Sequence, residues 1–162
     1  MSAETVREYL KRFGADGRIL EFPVSSATVE LAAEAIGCTP GQIAKTMAFG
    51  VGGGCVLIVA AGDRKIDNQK FKAEFAEKAK MLPPAEVEQQ VGHAVGGVCP
   101  FAVLPGVRVF LDESVRRFET VYPACGSSNS AIGLTPEELE CFSAPEKWVD
   151  VCKPMTPPAS SV

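Results

Sequence analysis

The stretch Ile43 to Ala61 reads IAKTMAF, then GVGGG, then CVLIVAA. Two apolar runs on either side of a glycine-rich turn are the pattern of a β-hairpin. The second run has no polar side chain in seven residues, so neither of its faces can be given to water. Such a strand belongs in the middle of a sheet that is covered on both sides. The rest of the chain must therefore supply covering helices and neighbouring strands.

It does so in alternation. Thr5 to Phe13 places Val6, Tyr9, Leu10 and Phe13 on one helical face, and Gly14 can end the helix. Ile19 to Phe22 suits a short strand. A second helix is expected from Thr28 to Ala35, with Val29, Ala32 and Ala33 inward, Ser26 or Thr28 as cap and Gly37 as stop. After the hairpin, GDRKID leads into a helix from Asn68 to Lys80 capped by Asp67. Its inner stripe is Phe71, Phe75 and Ala79, and Lys70–Glu74 and Glu74–Lys78 form i,i+4 pairs on its wet side. Ala85 to Val91 reads as a helix between prolines and Gly92. VRVFL, TVYPACG and AIGL read as strands, the last two separated by SSNS. TPEELECF carries the clearest helix start: Thr135 as N-cap, Pro136 at the first position and Glu138 closing a capping box. Interspersed strands and helices with at least one antiparallel hairpin imply an α/β fold, a mixed sheet with helices packed outside. At 162 residues one domain over residues 1–152 is expected, with a frayed Pro/Ser-rich tail from Lys153 to Val162.

Charge and cysteine usage narrow the functional classes. A net charge of −4 and no helix-turn-helix pattern argue against DNA binding, but not against a short contact with a nucleic-acid end. Six of the sixteen basic residues fall between Arg64 and Lys80, which suits a solvated helix face with internal ion pairs. The six cysteines and the single histidine, His93, show no metal-site spacing, so no metal and no cofactor are expected. With no secretory signal and no membrane-length apolar run, the expected location is the cytoplasm, away from membranes, with reduced, mostly buried thiols.

Few residues remain for chemistry. Any Ser-His or Cys-His dyad must use His93, which follows Gly92 at a helix end, where a cation is favoured. GVGGG precedes a strand rather than a helix, so it is no dinucleotide fingerprint. Lys45, inside IAKTMAF, has two placements open to it: solvent at a sheet edge, or a pocket. The stretch Gly92 to Pro105, GHAVGGVCPFAVLP, is glycine-rich yet too apolar for a surface linker. Gly96, Gly97 and Pro100 suit either a tight structural turn or a close approach of main chain to a ligand carbonyl. On the second reading a methyl group added at Gly96 would crowd that backbone.

In this order, IAKTMAF, AAGDRKID, VGGVCPFAVL, VFLDESV, VYPACG and IGLTPEEL resemble the YbaK/ProX-type trans-editing domains, relatives of the insertion domain of bacterial prolyl-tRNA synthetases. The resemblance runs from about Ser25 to Cys141. It implies a largely antiparallel sheet curled into a partly open barrel. It also implies hydrolysis of mischarged aminoacyl-tRNA, of small amino acids such as Ala or Cys on tRNA for proline. The tRNA acceptor end would be the partner, with prolyl-tRNA synthetase as a second. The resemblance gives catalytic roles to Lys45, Gly96, Gly97 and Pro100. It places Thr46, Val98, Asp112, Gly126, Ser127, Ser128 and Asn129 in the substrate site. YbaK-like members often carry basic residues after the late glycine, where this chain has Ser127, Ser128 and Asn129, which argues against a cysteinyl specificity taken from that branch. The rival reading is a non-catalytic module that binds a tRNA end or a nucleotide.

Overall fold

A computed structural model describes residues 2–155. Its centre is the hairpin. Strand β2 (Ile43–Val51) pairs antiparallel with β3 (Gly54–Ala61) in register from Ala44↔Ala61 to Val51↔Gly54. Gly52 and Gly53, both at positive φ, make the two-residue turn that such a register demands. Strand β3 is buried from Cys55 to Ala61 and lies at the middle of a five-stranded sheet, as its unbroken apolar run requires.

The other elements follow the chain. Helix α1 (Ser2–Lys11) precedes β1 (Ile19–Glu21), and α2 (Val29–Ile36) precedes the hairpin. After the hairpin come β4 (Arg64–Ile66), α3 (Asn68–Phe75), α4 (Pro84–Val91) and β5 (Arg108–Asp112). Strands β6 (Tyr122–Pro123) and β7 (Ser130–Ile132), helix α5 (Pro136–Ser143), and strands β8 (Lys147–Val149) and β9 (Cys152–Pro154) complete the described chain.

The main sheet has the order β6-β2-β3-β5-β8, with β2–β6, β3–β5 and β5–β8 parallel. Beyond β6, the bridges Val121↔Leu134 and Ala124↔Ala131 carry the sheet round to β7, which pairs antiparallel with β1. A second short antiparallel ladder joins β4 to β9. The result is the mixed, partly open barrel with helices outside that was expected, but the main sheet is not largely antiparallel. Three of its four strand pairings are parallel, because β5, β6 and β8 each run alongside a neighbour in the same direction.

Both faces of the hairpin are covered. On one, Phe49, Val56, Ile58 and Ala60 meet Phe71 of α3 and Phe110 of β5. On the other, Ala44 and Val59 join Val6, Leu10, Phe101 and Leu139. Helix α4 closes the hairpin end of that second face through Val87 and Val91, against Ala48 and Leu57. The expected caps form. Thr28 Oγ1 accepts from Leu31 N–H at 3.1 Å, and Thr135 and Glu138 make the reciprocal box. Arg18, together with the Thr135 N–H, holds the Glu138 carboxyl down to about 2.

Three further expectations need correction. Helix α3 stops at Phe75 rather than Lys80, with Ala76 left-handed at φ 63°. The chain must leave the helix there to reach the edge of β2, where Lys80 C=O accepts from Gly50 N–H and Met81 bridges Phe49. This tertiary contact outweighs the helical periodicity of AEKAK. The i,i+4 ion pairs are replaced by long-range ones: Lys70 meets Asp150 at 3.0 Å and Glu74 meets Lys147 at 2.5 Å. The tail does not fray from Lys153. Lys153 and Pro154 pair with Lys65 and Arg64, while residues 156–162 lie outside the described residues.

Candidate functional site

The site starts at a gap in the edge of β2. Strand β6 covers that edge only at Ile43 and Ala44. Further on, Ala48 C=O accepts from Leu82 N–H at 3.1 Å and Gly50 N–H donates to Lys80 C=O. Between these two seals, alternation turns the N–H and C=O of Thr46 outward. Neither meets a backbone partner among the described residues. A cavity of about 430 Å3 opens at this gap, a volume within the range of small-molecule sites.

Helix α2 and the segment before it (Ser26 to Val29) form one wall of this cavity, and Met81, Leu82, Pro84 and Val87 form the opposite one. Tyr122, Ala124, Ser130 and Ala131 line its inner end. The glycine loop closes it with Val95, Gly96 and Val98. Most of these groups are apolar.

Lys45, Thr46, Gly96 and Val98 therefore meet at one cavity. Lys45 is half-buried, and its ammonium donates to the carbonyl of Arg64. Burial lowers its pKa, which Asp63 and Glu30 only partly oppose. Lys45 thus lines the cavity, with its ammonium held by the Arg64 carbonyl rather than free in solvent. Thr46 Oγ1 is buried without a hydrogen-bond partner.

The N–H groups of Gly96 and Val98 also find no partner among the described residues, whereas Gly97 N–H donates to Ala94 C=O at 3.0 Å. Gly97 thus sets the turn and does not face the cavity. It is needed for a different reason. A Cβ there would lie 2.7 Å from Gly126 C and Ser127 N, so only glycine lets the two loops touch. At Gly96 the expected crowding is absent. An added Cβ would stand 3.5 Å from Ala27 Cβ and 3.6 Å from Ser128 Cβ, and the constraint is instead the positive φ of 99°.

The remaining expected residues lie outside the cavity. Pro100 lines a separate depression with Thr5, Tyr9 and Arg12. Asp112 is buried and accepts from Ser114 N–H and Val151 N–H, both at 2.9 Å, tying β5 to the residue before β9. Gly126, at φ 89°, packs its Cα side against Ser2 C=O and Val6 of α1. Ser127 Oγ bonds Asn129 Oδ1 and Ser130 Oγ. Ser128 C=O accepts from Ser26 N–H and Oγ, and Asn129 Nδ2 donates to Phe22 C=O. Their polar atoms stitch the late loop to the segment before α2, which forms a cavity wall.

His93 is not a cation at a helix end. It is buried, and burial lowers its pKa. Nε2–H donates to Phe101 C=O at 2.7 Å, so Nδ1 accepts from the Ser2 hydroxyl. The histidine braces the glycine loop against α1. Cys99 and Cys125 are buried too, and burial pushes the Cys99 thiol up to about 12, so it stays protonated.

Sequence reasoning missed the walls. Ser26 and Thr28 read only as caps, and Met81, Leu82 and Val87 only as helix residues or linker. Tyr122 and Ala131 read as strand, and Ser130 only as part of the loop between two strands. No local pattern marks residues that the fold brings together from six separate segments.

Comparison with known proteins identifies the family. The family model of the aminoacyl-tRNA editing domain matches residues 24–142. The uncharacterized protein YwhH of Bacillus subtilis (strain 168) is 53% identical over 154 residues, covering 94% of this chain and 98% of that protein. The proline–tRNA ligase of Geobacillus sp. (strain WCH70) is 29% identical over 114 residues, which span 68% of this chain and 20% of the ligase. A crystal structure of a candidate trans-editing enzyme for prolyl tRNA synthetase superposes with a TM-score of 0.84 at 28% identity, covering 94% of this chain and 97% of that one. In the described residues no helix is long and apolar enough to cross a membrane. The chain belongs to the aminoacyl-tRNA editing domain family.

Proposed function

We propose that the protein hydrolyses the ester of a small, wrongly attached amino acid on tRNA, with tRNA for proline as the favoured carrier. One observation carries this reading. Unpartnered N–H groups of Gly96 and Val98 border the same largely apolar cavity as Lys45 and the open edge at Thr46.

The substrate ester is already activated, so positioning and oxyanion stabilisation suffice. Water attacks the aminoacyl carbonyl carbon, and the Gly96 and Val98 N–H groups donate to the oxyanion that forms. The bond to the ribose oxygen then breaks. That oxygen takes the proton released by the water, and the free amino acid leaves. A neighbouring ribose hydroxyl can relay this proton, consistent with His93 being buried and engaged elsewhere. Lys45 supplies a cation at the rim, exchanging the Arg64 carbonyl for a substrate oxygen. Ala44, Ala48, Ala131 and Val98 leave room for a small aliphatic side chain such as that of alanine. Prolyl-tRNA synthetase, which makes the mischarged substrate, is the matching protein partner.

Release of free amino acid from alanyl-, cysteinyl- and seryl-tRNA for proline, at catalytic protein concentration, tests the proposal. Alanine release above the spontaneous rate is expected, unchanged after dialysis against a strong chelator. Retention of the tRNA with no release on any of the three would identify a binding module instead.

A further inference from the structure

The charge of this acidic chain is not evenly neutralised. Arg7, Lys11, Arg18, Arg108 and Arg116 each sit within 3.1 Å of a carboxylate. Five exposed lysines form no ion pair with a carboxylate among the described residues: Lys65, Lys72, Lys78, Lys80 and Lys153. All five lie on β4, β9, α3 and the strap that follows α3.

Two of these elements reach residues that line the cavity. Lys65 follows Arg64, whose carbonyl holds the Lys45 ammonium. Lys80 precedes Met81, a wall residue, and its carbonyl is bonded to Gly50. From Lys45 to Gly50 the strand advances about 17 Å at about 3.3 Å per residue. Lys65 and Lys153 stand directly opposite each other in the β4–β9 register. Like charges at opposed positions are unfavourable by themselves, and an anion between them removes that penalty. Asp67, whose charge Lys153 favours, already accepts from the Gln69 and Lys70 N–H groups as the α3 cap. The two helices on the other sides of the cavity are acidic, with Glu30 and Glu34 on α2 and Glu86 and Glu88 on α4.

We infer that the β4–β9 ladder and the α3 strap form a phosphate-binding surface. It would seat the backbone of the tRNA acceptor stem while the 3′ end enters the cavity. This inference rests on the tRNA-directed reading above and adds the face on which the stem lies and the faces that repel it. A row of cations beside a cavity mouth, bordered by carboxylates, suits a polyanion that must approach from one side.

Equilibrium binding of uncharged tRNA for proline, measured from 50 to 200 mM KCl, tests it without depending on hydrolysis. Each lost phosphate contact lowers the slope of log K against log salt by about 0.9. The double variants Lys65→Gln/Lys153→Gln and Lys78→Gln/Lys80→Gln should each lower it by about 1–2 and weaken binding about tenfold at 100 mM. Lys11→Gln/Arg108→Gln, which alters ion-paired cations elsewhere, should bind like wild type. Wild-type affinity and slope in both lysine doubles would overturn the inference. So would equal weakening in the control, or wild-type tRNA binding combined with lysine-dependent binding to phosphatidylserine vesicles. A wild-type protein that binds tRNA with the expected lysine dependence yet releases no amino acid would remove the deacylase reading and leave this surface standing.

Discussion

Gly97→Ala probes the contact on which the cavity depends. The new Cβ would lie 2.7 Å from Gly126 C and Ser127 N and 2.8 Å from Ser127 Cα, all main-chain atoms with no side-chain end to swing away. Ordinary contact begins at 3.4 Å, so the loops must part by about 0.7 Å. The late loop cannot easily take up the shift. Gly126 is itself pressed against Ser2 and Val6, and Ser128 and Asn129 are bonded to Ser26 and Phe22. The displacement therefore falls on the glycine loop and moves the Gly96 and Val98 N–H groups. Overpacking of this kind costs about 1–3 kcal/mol. In a chain of this size each kcal/mol lowers Tm by about 2–4 °C. Misplacing catalytic donors by about 1 Å costs on the order of 100-fold in rate. Thermal melts paired with deacylation kinetics read both effects. Gly96→Ala is the comparison: it meets no atom closer than 3.5 Å but carries about 1–3 kcal/mol of strain at its positive φ. Its stability loss should be similar and its activity loss smaller. Wild-type melting and wild-type rates in Gly97→Ala would refute the loop-contact argument.

Lys45→Met should lower kcat/KM about 10- to 100-fold, the loss of one charge-assisted hydrogen bond of about 1.5–3 kcal/mol, and leave Tm unchanged or slightly higher. Because burial lowers the folded pKa of Lys45, the unfolded chain holds its proton to higher pH. Wild-type stability should thus gain from this residue as pH rises from that lowered value towards 10.5, a gain missing in the variant on pH-dependent melts. Asp112→Ala leaves the Ser114 and Val151 N–H groups unpaired in the interior and should cost about 2–5 kcal/mol in denaturant unfolding, with activity per folded molecule retained. His93 is buried with a lowered pKa, so its neutral form favours the fold. Stability should fall as pH drops from about 6.5 through that lowered value, and His93→Gln should flatten this part of the profile.

Much of the architecture was legible because it rests on local rules. The apolar run Cys55 to Ala61 demanded a central strand, and the paired positive-φ glycines 52 and 53 demanded a tight hairpin. The Thr28 and Thr135 caps declared two helix starts. In each case the determining atoms lie within a few residues of one another. Where long-range contacts compete with local pattern, the reading failed. AEKAK keeps helical periodicity, yet the chain turns at Ala76 to seal the β2 edge. Lys153 looked like tail composition, yet its backbone completes a ladder with Lys65.

The candidate site divides in the same way. Lys45, Thr46, Gly96 and Val98 were nameable because a strand and a loop motif carry them. Asp112, Gly126 and the Ser127–Asn129 run belong to the same segments but serve structural bonds. Nothing in their residue types separates a carboxylate that binds a ligand from one that ties Ser114 and Val151 together. The sequence by itself determined the central hairpin, the strands β1, β5, β6 and β7, the caps and the hairpin glycines, since propensity, periodicity and steric freedom act over short range. Strands β4, β8 and β9, by contrast, exist only through the distant strands they pair with. Only the tertiary structure decided that β6 stops at Ala44 and the strap begins at Ala48, leaving Thr46 open between them. That gap is a matter of which distant segments run out of partners, and no local stretch of chain encodes it.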